Sequence, residues 1–210
     1  MKQQHYIAYL DVLGARNSSE KEDFEFYLRI ISNFQNELRR VVSNLNEGRI
    51  HFFSDCAFLE SKDLSSLIEC IRRLRDNLFD SNNPTFIRGA ITKGILGAIN
   101  GEETKEFIED YYQDEAITKR FLSIKNGLNK YKDKIKGTLF LSKDVAKLVQ
   151  YETSLKGAGV YLDENVLADI DANDTVASGF ISNVRNKEYF AFRDISYTMD
   201  EITETFIDKL

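Results

Sequence analysis

Residues 6–13 read Tyr-Ile-Ala-Tyr-Leu-Asp-Val-Leu, an apolar run interrupted by a single carboxylate, Asp11. An apolar run of this length without alternation predicts a central strand buried on both faces. Gly14 follows at once and allows a tight turn. A buried, ionised acid is costly unless something meets its charge. Three arrangements do so: a basic partner such as Arg88, a terminal position facing solvent, or a bound cation. One of the three has to stand beside this strand.

A second acid has a comparable setting. Residues 49–60, Arg-Ile-His-Phe-Phe-Ser-Asp-Cys-Ala-Phe-Leu-Glu, predict two short strands with Ser54 and Asp55 at the bend between them. Phe52, Phe53 and Phe58 flank Asp55. If both strand units are central and adjacent, Asp11 and Asp55 meet at one sheet edge. Hard divalent cations want oxygen ligands, so paired carboxylates suit Mg2+ or Mn2+. Two such ions can bracket a transferring phosphoryl group.

The remaining pattern supplies the frame. Ser19-Glu20-Lys21-Glu22 has the form of a capping box. After it, Phe24, Tyr27, Leu28, Ile31, Phe34, Leu38, Val41, Val42 and Leu45 make one apolar stripe on a long helix that Gly48 stops. Leu64, Leu67, Ile68, Ile71, Leu74 and Leu78 mark a second amphipathic helix. Pro84 introduces a strand over 86–92, a position where it removes no ladder donor. Beyond it the sequence predicts a helix over 103–126, broken near Tyr112 and Gln113, a strand over 138–141, a helix over 142–150 and a strand over 158–162. A hairpin over 178–193 turning near Asn186 and a last helix over 199–208 complete the reading. Without repeat or linker, residues 1–210 are expected to form a single domain. The order strand–helix–hairpin–helix–strand predicts an α+β fold with a mostly antiparallel sheet flanked by helices.

Composition excludes several functions. The net charge is −6, which argues against duplex nucleic acid as a partner. Cys56 and Cys70 form no zinc set with His5 and His51, and read as reduced thiols. The N-terminal residues read as neither a signal peptide nor a spanning helix, so a cytoplasmic location without direct membrane insertion is expected.

Three segments together resemble the class III adenylyl and guanylyl cyclases: Tyr9-Leu10-Asp11-Val12-Leu13-Gly14 the first-strand motif, Phe53-Ser54-Asp55 the metal-binding hairpin, and Arg88-Gly89-Ala90-Ile91-Thr92-Lys93-Gly94 the following strand and glycine turn. The subgroup most similar is the compact bacterial pyrimidine cyclases of the Pycsar anti-phage system. The motifs occur in family order and cover about the first half of the chain.

The resemblance implies a ferredoxin-like cyclase core and a metal-dependent reaction on a nucleoside triphosphate. Asp11, the Val12 backbone and Asp55 would hold two Mg2+ or Mn2+ ions. Val12, Leu13 and Gly14 would line the triphosphate with backbone N–H groups. The ribose 3′-hydroxyl would attack the α-phosphorus and pyrophosphate would leave. The family shares its active sites between two chains, which implies a homodimer with composite sites. The subgroup implies cyclic UMP or cyclic CMP as a second messenger in antiviral defence, read by a separate cyclic-nucleotide-responsive effector. A non-catalytic, nucleotide-binding or regulatory module is the alternative.

The sequence also departs from the pattern. Ala15 stands where the family has Phe. Thr118 and Leu122 stand where it has the Asn and Arg that meet the transition state, leaving Lys119 or Arg120 for the cationic role or for a solvated helix face. His51 stands where purine cyclases carry a base-reading Lys, and it is expected to face the nucleotide together with Phe53 and Asp55. Arg88 reads equally as a nucleotide contact or an ion-pair partner. Tyr111 and Tyr112 read as base stackers, interface or core. The Lys-rich run from Lys125 to Lys136 reads as a solvated connector or a triphosphate attractor.

Overall fold

A computed structural model describes residues 5–13, 15, 24–43, 45, 48–81, 84–97, 109, 113–130, 140, 142–154, 159–170, 181–183 and 190–192. The apolar run forms strand β1, Tyr6–Val12, and the first amphipathic stretch forms helix α1, Phe24–Val42. The hairpin strands β2, Arg49–Phe53, and β3, Cys56–Ser61, follow. Helix α2, Leu64–Phe79, leads into β4, Ile87–Lys93. Next come α3, Glu115–Asn129, α4, Lys143–Ser154, β5, Gly159–Leu162, and the single turn α5, Glu164–Leu167. Two short strands close the order, β6, Ile181–Asn183, and β7, Phe190–Phe192.

The sheet runs β2-β3-β1-β4-β5-β7-β6. Its first four strands have the ferredoxin-like β-α-β-β-α-β arrangement. All pairings are antiparallel except β4 with β5, which is parallel, so the sheet is mixed. The β5 strand therefore needs a crossover, and the segment containing α3 and α4 provides it.

Alternation along the strands divides the side chains between two faces. Ala8, Leu10 and Val12 of β1, Ala57 and Leu59 of β3, and Ile87 and Ile91 of β4 pack under α1 and α2. Those helices contribute Ile30, Phe34 and Leu38, and Leu67, Ile71 and Leu74, all buried at spacings of three and four. Each such side chain contributes about 1.5–3 kcal/mol by leaving water. The other face gathers Ile7, Tyr9, Phe53, Phe58, Phe140, Val145, Leu148 and Tyr161. Because both faces are covered, β1 shows no polar alternation.

Boundaries moved in places. The α1 helix ends at Val42, before Leu45. Leu45 is still buried, brought back to the core by a turn in which its N–H donates to the Val42 carbonyl. Of the helix expected over 103–126, α3 covers the part from Glu115, and Gln113 just before it has a positive φ of 52°; residues 103–112 apart from Glu109 lie outside the described residues. Asp114 caps α3 by accepting the N–H groups of Ala116 and Ile117. The capping box at Ser19, Gly14, Tyr111 and Tyr112, most of the 138–141 strand and the 199–208 helix lie outside the described residues.

Candidate active site

Register puts five residues in one row at the end of the sheet: Phe53, Cys56, Asp11, Arg88 and Gly159. Asp11 is the last odd-numbered residue of β1, on the face opposite α1 and α2. Ser54 and Asp55 form the turn between β2 and β3. The Val12 N–H donates to the Asp55 carbonyl at 3.0 Å, tying that turn to the end of β1. The two acids sequence reasoning singled out thus stand at one sheet edge, close enough that the charge of Asp55 raises the pKa of Asp11.

Asp11 is only 18 % exposed, and Arg88 approaches its Oδ2 with Nη2 at 3.3 Å and Nε at 3.4 Å. Burial pushes the Asp11 carboxyl above its ordinary value, Arg88 pulls it down and Asp55 pushes it up. The balance is upward, so Arg88 answers only part of the negative charge. Of the three arrangements open for Asp11, the basic partner is present and leaves a further cation favourable. The two carboxylates supply oxygen donors only. Among the described residues no cluster of three or more His, Cys, Asp or Glu forms a complete cage. Mg2+ is commonly held by one or two carboxylates plus phosphate oxygens and water, so this donor set fits it.

Two expectations need correction. Val12 and Leu13 do not offer N–H groups to a phosphate: Val12 donates to the Asp55 carbonyl and Leu13 to that of Phe86, at 2.9 Å. The strand continues its ladder further than the motif alone predicts. His51 does share a face with Phe53 and Asp11, but Asp55 sits in the turn, where alternation has ended. The His51 ring lies edge-on to Phe140, with centroids 5.2 Å apart, and its Nε2 is buried.

Sequence reasoning missed Phe140. Its ring also lies 5.4 Å from Phe53 and 5.1 Å from Phe58, making an aromatic cluster on the sheet face opposite α1 and α2. No local signal marks it, because the three partners come from β2 and β3, over eighty residues away.

On α3, Thr118 is buried, and its hydroxyl has no hydrogen-bond partner among the described residues. Lys119 pairs with Glu115 one turn away on the solvent side, and Arg120 is exposed. Within one chain neither cation is brought to Asp11.

No protein-family model and no curated protein matches the chain. Solved structures do. A bacterial light-regulated adenylyl cyclase aligns over 97% of this chain at TM-score 0.61 and 13% identity, the chain spanning 56% of that one. The fold is that of a nucleotidyl cyclase domain. A dimeric guanylyl cyclase domain of the RhoGC fusion protein from the aquatic fungus Blastocladiella emersonii aligns at TM-score 0.59 and 7% identity, over 94% of this chain and 97% of its own. Adenylate cyclases from Trypanosoma brucei in their monomeric state align at TM-score 0.58 and 8% identity, over 90% of this chain and 86% of theirs. No helix among the described residues is long and apolar enough to cross a membrane.

Proposed function

We propose that the chain is a nucleotidyl cyclase that converts a pyrimidine nucleoside triphosphate, UTP in preference to CTP, to its 3′,5′-cyclic nucleotide and pyrophosphate. The observation that carries this reading is the pair Asp11 and Asp55, joined through the Val12–Asp55 hydrogen bond at the edge of a cyclase-fold sheet. Asp11, Asp55 and the Val12 carbonyl would hold Mg2+ or Mn2+. Bound there, the ions would neutralise charge on the triphosphate and polarise the attacked phosphorus. Arg88 orients Asp11 and adds positive charge at the same edge.

Pyrimidine selection rests on His51 and the cluster of Phe53, Phe58 and Phe140. On this reading the rings clustered around Phe140 would narrow the base pocket and disfavour a two-ring base. The imidazole can exchange hydrogen bonds with a pyrimidine edge once the base meets it. The Pycsar resemblance supports a second messenger in antiviral defence with a separate effector.

A homodimer with composite sites belongs to this reading. Ile117 and Ile124, 49% and 40% exposed, lie two turns apart on one side of α3 and leave apolar surface for a second copy. That arrangement would bring a partner's Arg120 or Lys119 toward the acids. The buried Thr118 hydroxyl and the Lys119–Glu115 pair favour a second reading, a non-catalytic nucleotide-binding module. Incubation with Mn2+ and each of the four triphosphates, followed by mass-spectrometric identification of products, separates the two. Cyclic UMP or cyclic CMP is expected. Dominant cyclic AMP or cyclic GMP overturns the pyrimidine assignment, and no cyclic product at all supports the module.

A further inference from the structure

Ser54, the residue immediately before Asp55, has a φ of +37°. A residue with a Cβ enters this left-handed region at an energetic cost, and holds it only where its surroundings insist. Two side chains of α1 supply that insistence. The Tyr27 hydroxyl and the Ser54 hydroxyl share a hydrogen bond of 2.8 Å. Gln35, two turns further along, donates from Nε2 to the Ser54 carbonyl at 3.0 Å. On the other side the Val12 N–H holds the Asp55 carbonyl. The turn is therefore gripped from the helix at residue 54 and from β1 at residue 55.

We infer that Tyr27 and Gln35 are positioning residues that clamp Ser54 in its left-handed conformation and thereby set where the Asp55 carboxylate stands relative to Asp11. The inference rests on the metal-binding reading of those two acids. Neither α1 side chain is buried in the core, and neither reaches Asp55 directly. Their leverage comes from geometry: Ser54 and Asp55 are consecutive in a two-residue turn, so a change in the Ser54 backbone rotates the next side chain. Released from the clamp, Ser54 would relax toward the ordinary negative-φ region and carry Asp55 away from its place. Glycine at 54 would occupy the left-handed region without help.

This gives a test that a merely structural role would not pass. Mn2+ alone is titrated into the full chain, with free Mn2+ followed by electron paramagnetic resonance. The samples are wild type, Asp55→Ala, Tyr27→Phe/Gln35→Ala and Tyr27→Phe/Gln35→Ala/Ser54→Gly. Thermal unfolding of each confirms that it is folded. The double variant is expected to bind Mn2+ roughly five- to tenfold more weakly, and glycine at 54 to restore binding to within about twofold. Wild-type affinity in the double variant overturns the clamp while leaving the metal site standing, provided Asp55→Ala loses binding. A loss that glycine fails to rescue overturns it as well, because the helix then acts through something other than the Ser54 backbone. Absence of Mn2+ binding in the wild type removes both the metal reading and the clamp built on it.

Discussion

The backbone N–H of Val12 donates to the carbonyl of Asp55, 43 residues later in the chain, at 3.0 Å. Because Val12 follows Asp11 directly, this bond ties the backbone of Asp55 to the end of β1 that carries Asp11. It also removes the Val12 N–H from the phosphate-binding role that the motif alone assigns to it.

Removing either acid should abolish turnover without unfolding the protein. Asp11→Asn and Asp55→Ala are each expected to lower cyclic nucleotide formation by at least about a hundredfold, the scale of losing a centre of transition-state charge stabilisation. Asp11→Asn should leave the thermal midpoint unchanged or raise it, since it relieves a desolvated charge. Product assay beside circular-dichroism melting checks both statements. Full activity in a folded Asp55→Ala protein contradicts the two-metal site.

Base choice should depend on the aromatic cluster as well as on the imidazole. His51→Ala and Phe140→Ala are both expected to shift products toward purines by more than they lower the rate with the best pyrimidine substrate. A competition assay with all four triphosphates reads the ratio. An unchanged ratio in His51→Ala removes that residue from base selection.

Gly89 faces Leu10 across the β1–β4 pair. A Cβ there would run into the Tyr9 carbonyl oxygen and lie 2.8 Å from the Leu10 side chain. Gly89→Ala should therefore push β1 and β4 apart, destabilising the fold by at least about 2 kcal/mol. Because Asp11 and Arg88 adjoin this pair, activity should fall further than stability explains. Urea unfolding and product formation in one variant give both numbers.

At the opposite end of β4, Asp144 is buried against Gly94 and accepts from the Ser142 hydroxyl. Burial raises its pKa from 3.8 to about 6, against the opposing pull of the Ile95 N–H and Lys147. The folded state thus holds the proton more tightly than the unfolded chain. The stability this contributes is full below 3.8 and is lost as pH rises through about 6. Asp144→Asn should accordingly stabilise the protein by about 1–2 kcal/mol at pH 7.5 and have no such benefit at pH 4. Urea midpoints at the two pH values decide it, and an equal gain at both would show that charge is not the cause.

The exposed face of α3 provides the last test. Ile117→Glu is expected to convert a dimer to a monomer in sedimentation at micromolar concentration and to reduce turnover with it. A wild-type monomer with full activity would contradict the composite site.

The two acids were legible because each breaks a local pattern: Asp11 interrupts an apolar run, and Asp55 stands in a polar bend among phenylalanines. The helices α1 and α2 were legible because their apolar stripes repeat at the helical period, and chain order then limited how the first four strands could pair. Phe140 carried no such signal. Its importance comes from partners that only the folded sheet brings beneath it.

The sequence by itself determined that β1, α1, the β2–β3 hairpin, α2 and β4 would form and which two carboxylates needed an answer for their charge, because those properties depend on neighbours within a few positions. Tertiary structure decided the rest. It committed the Val12 and Leu13 N–H groups to distant carbonyls, paired Arg88 with Asp11, and bent Ser54 into a left-handed turn held by α1. Each of these depends on a hydrogen bond or ion pair between segments tens of residues apart, and such a partner is chosen by the packing of the whole sheet against its helices.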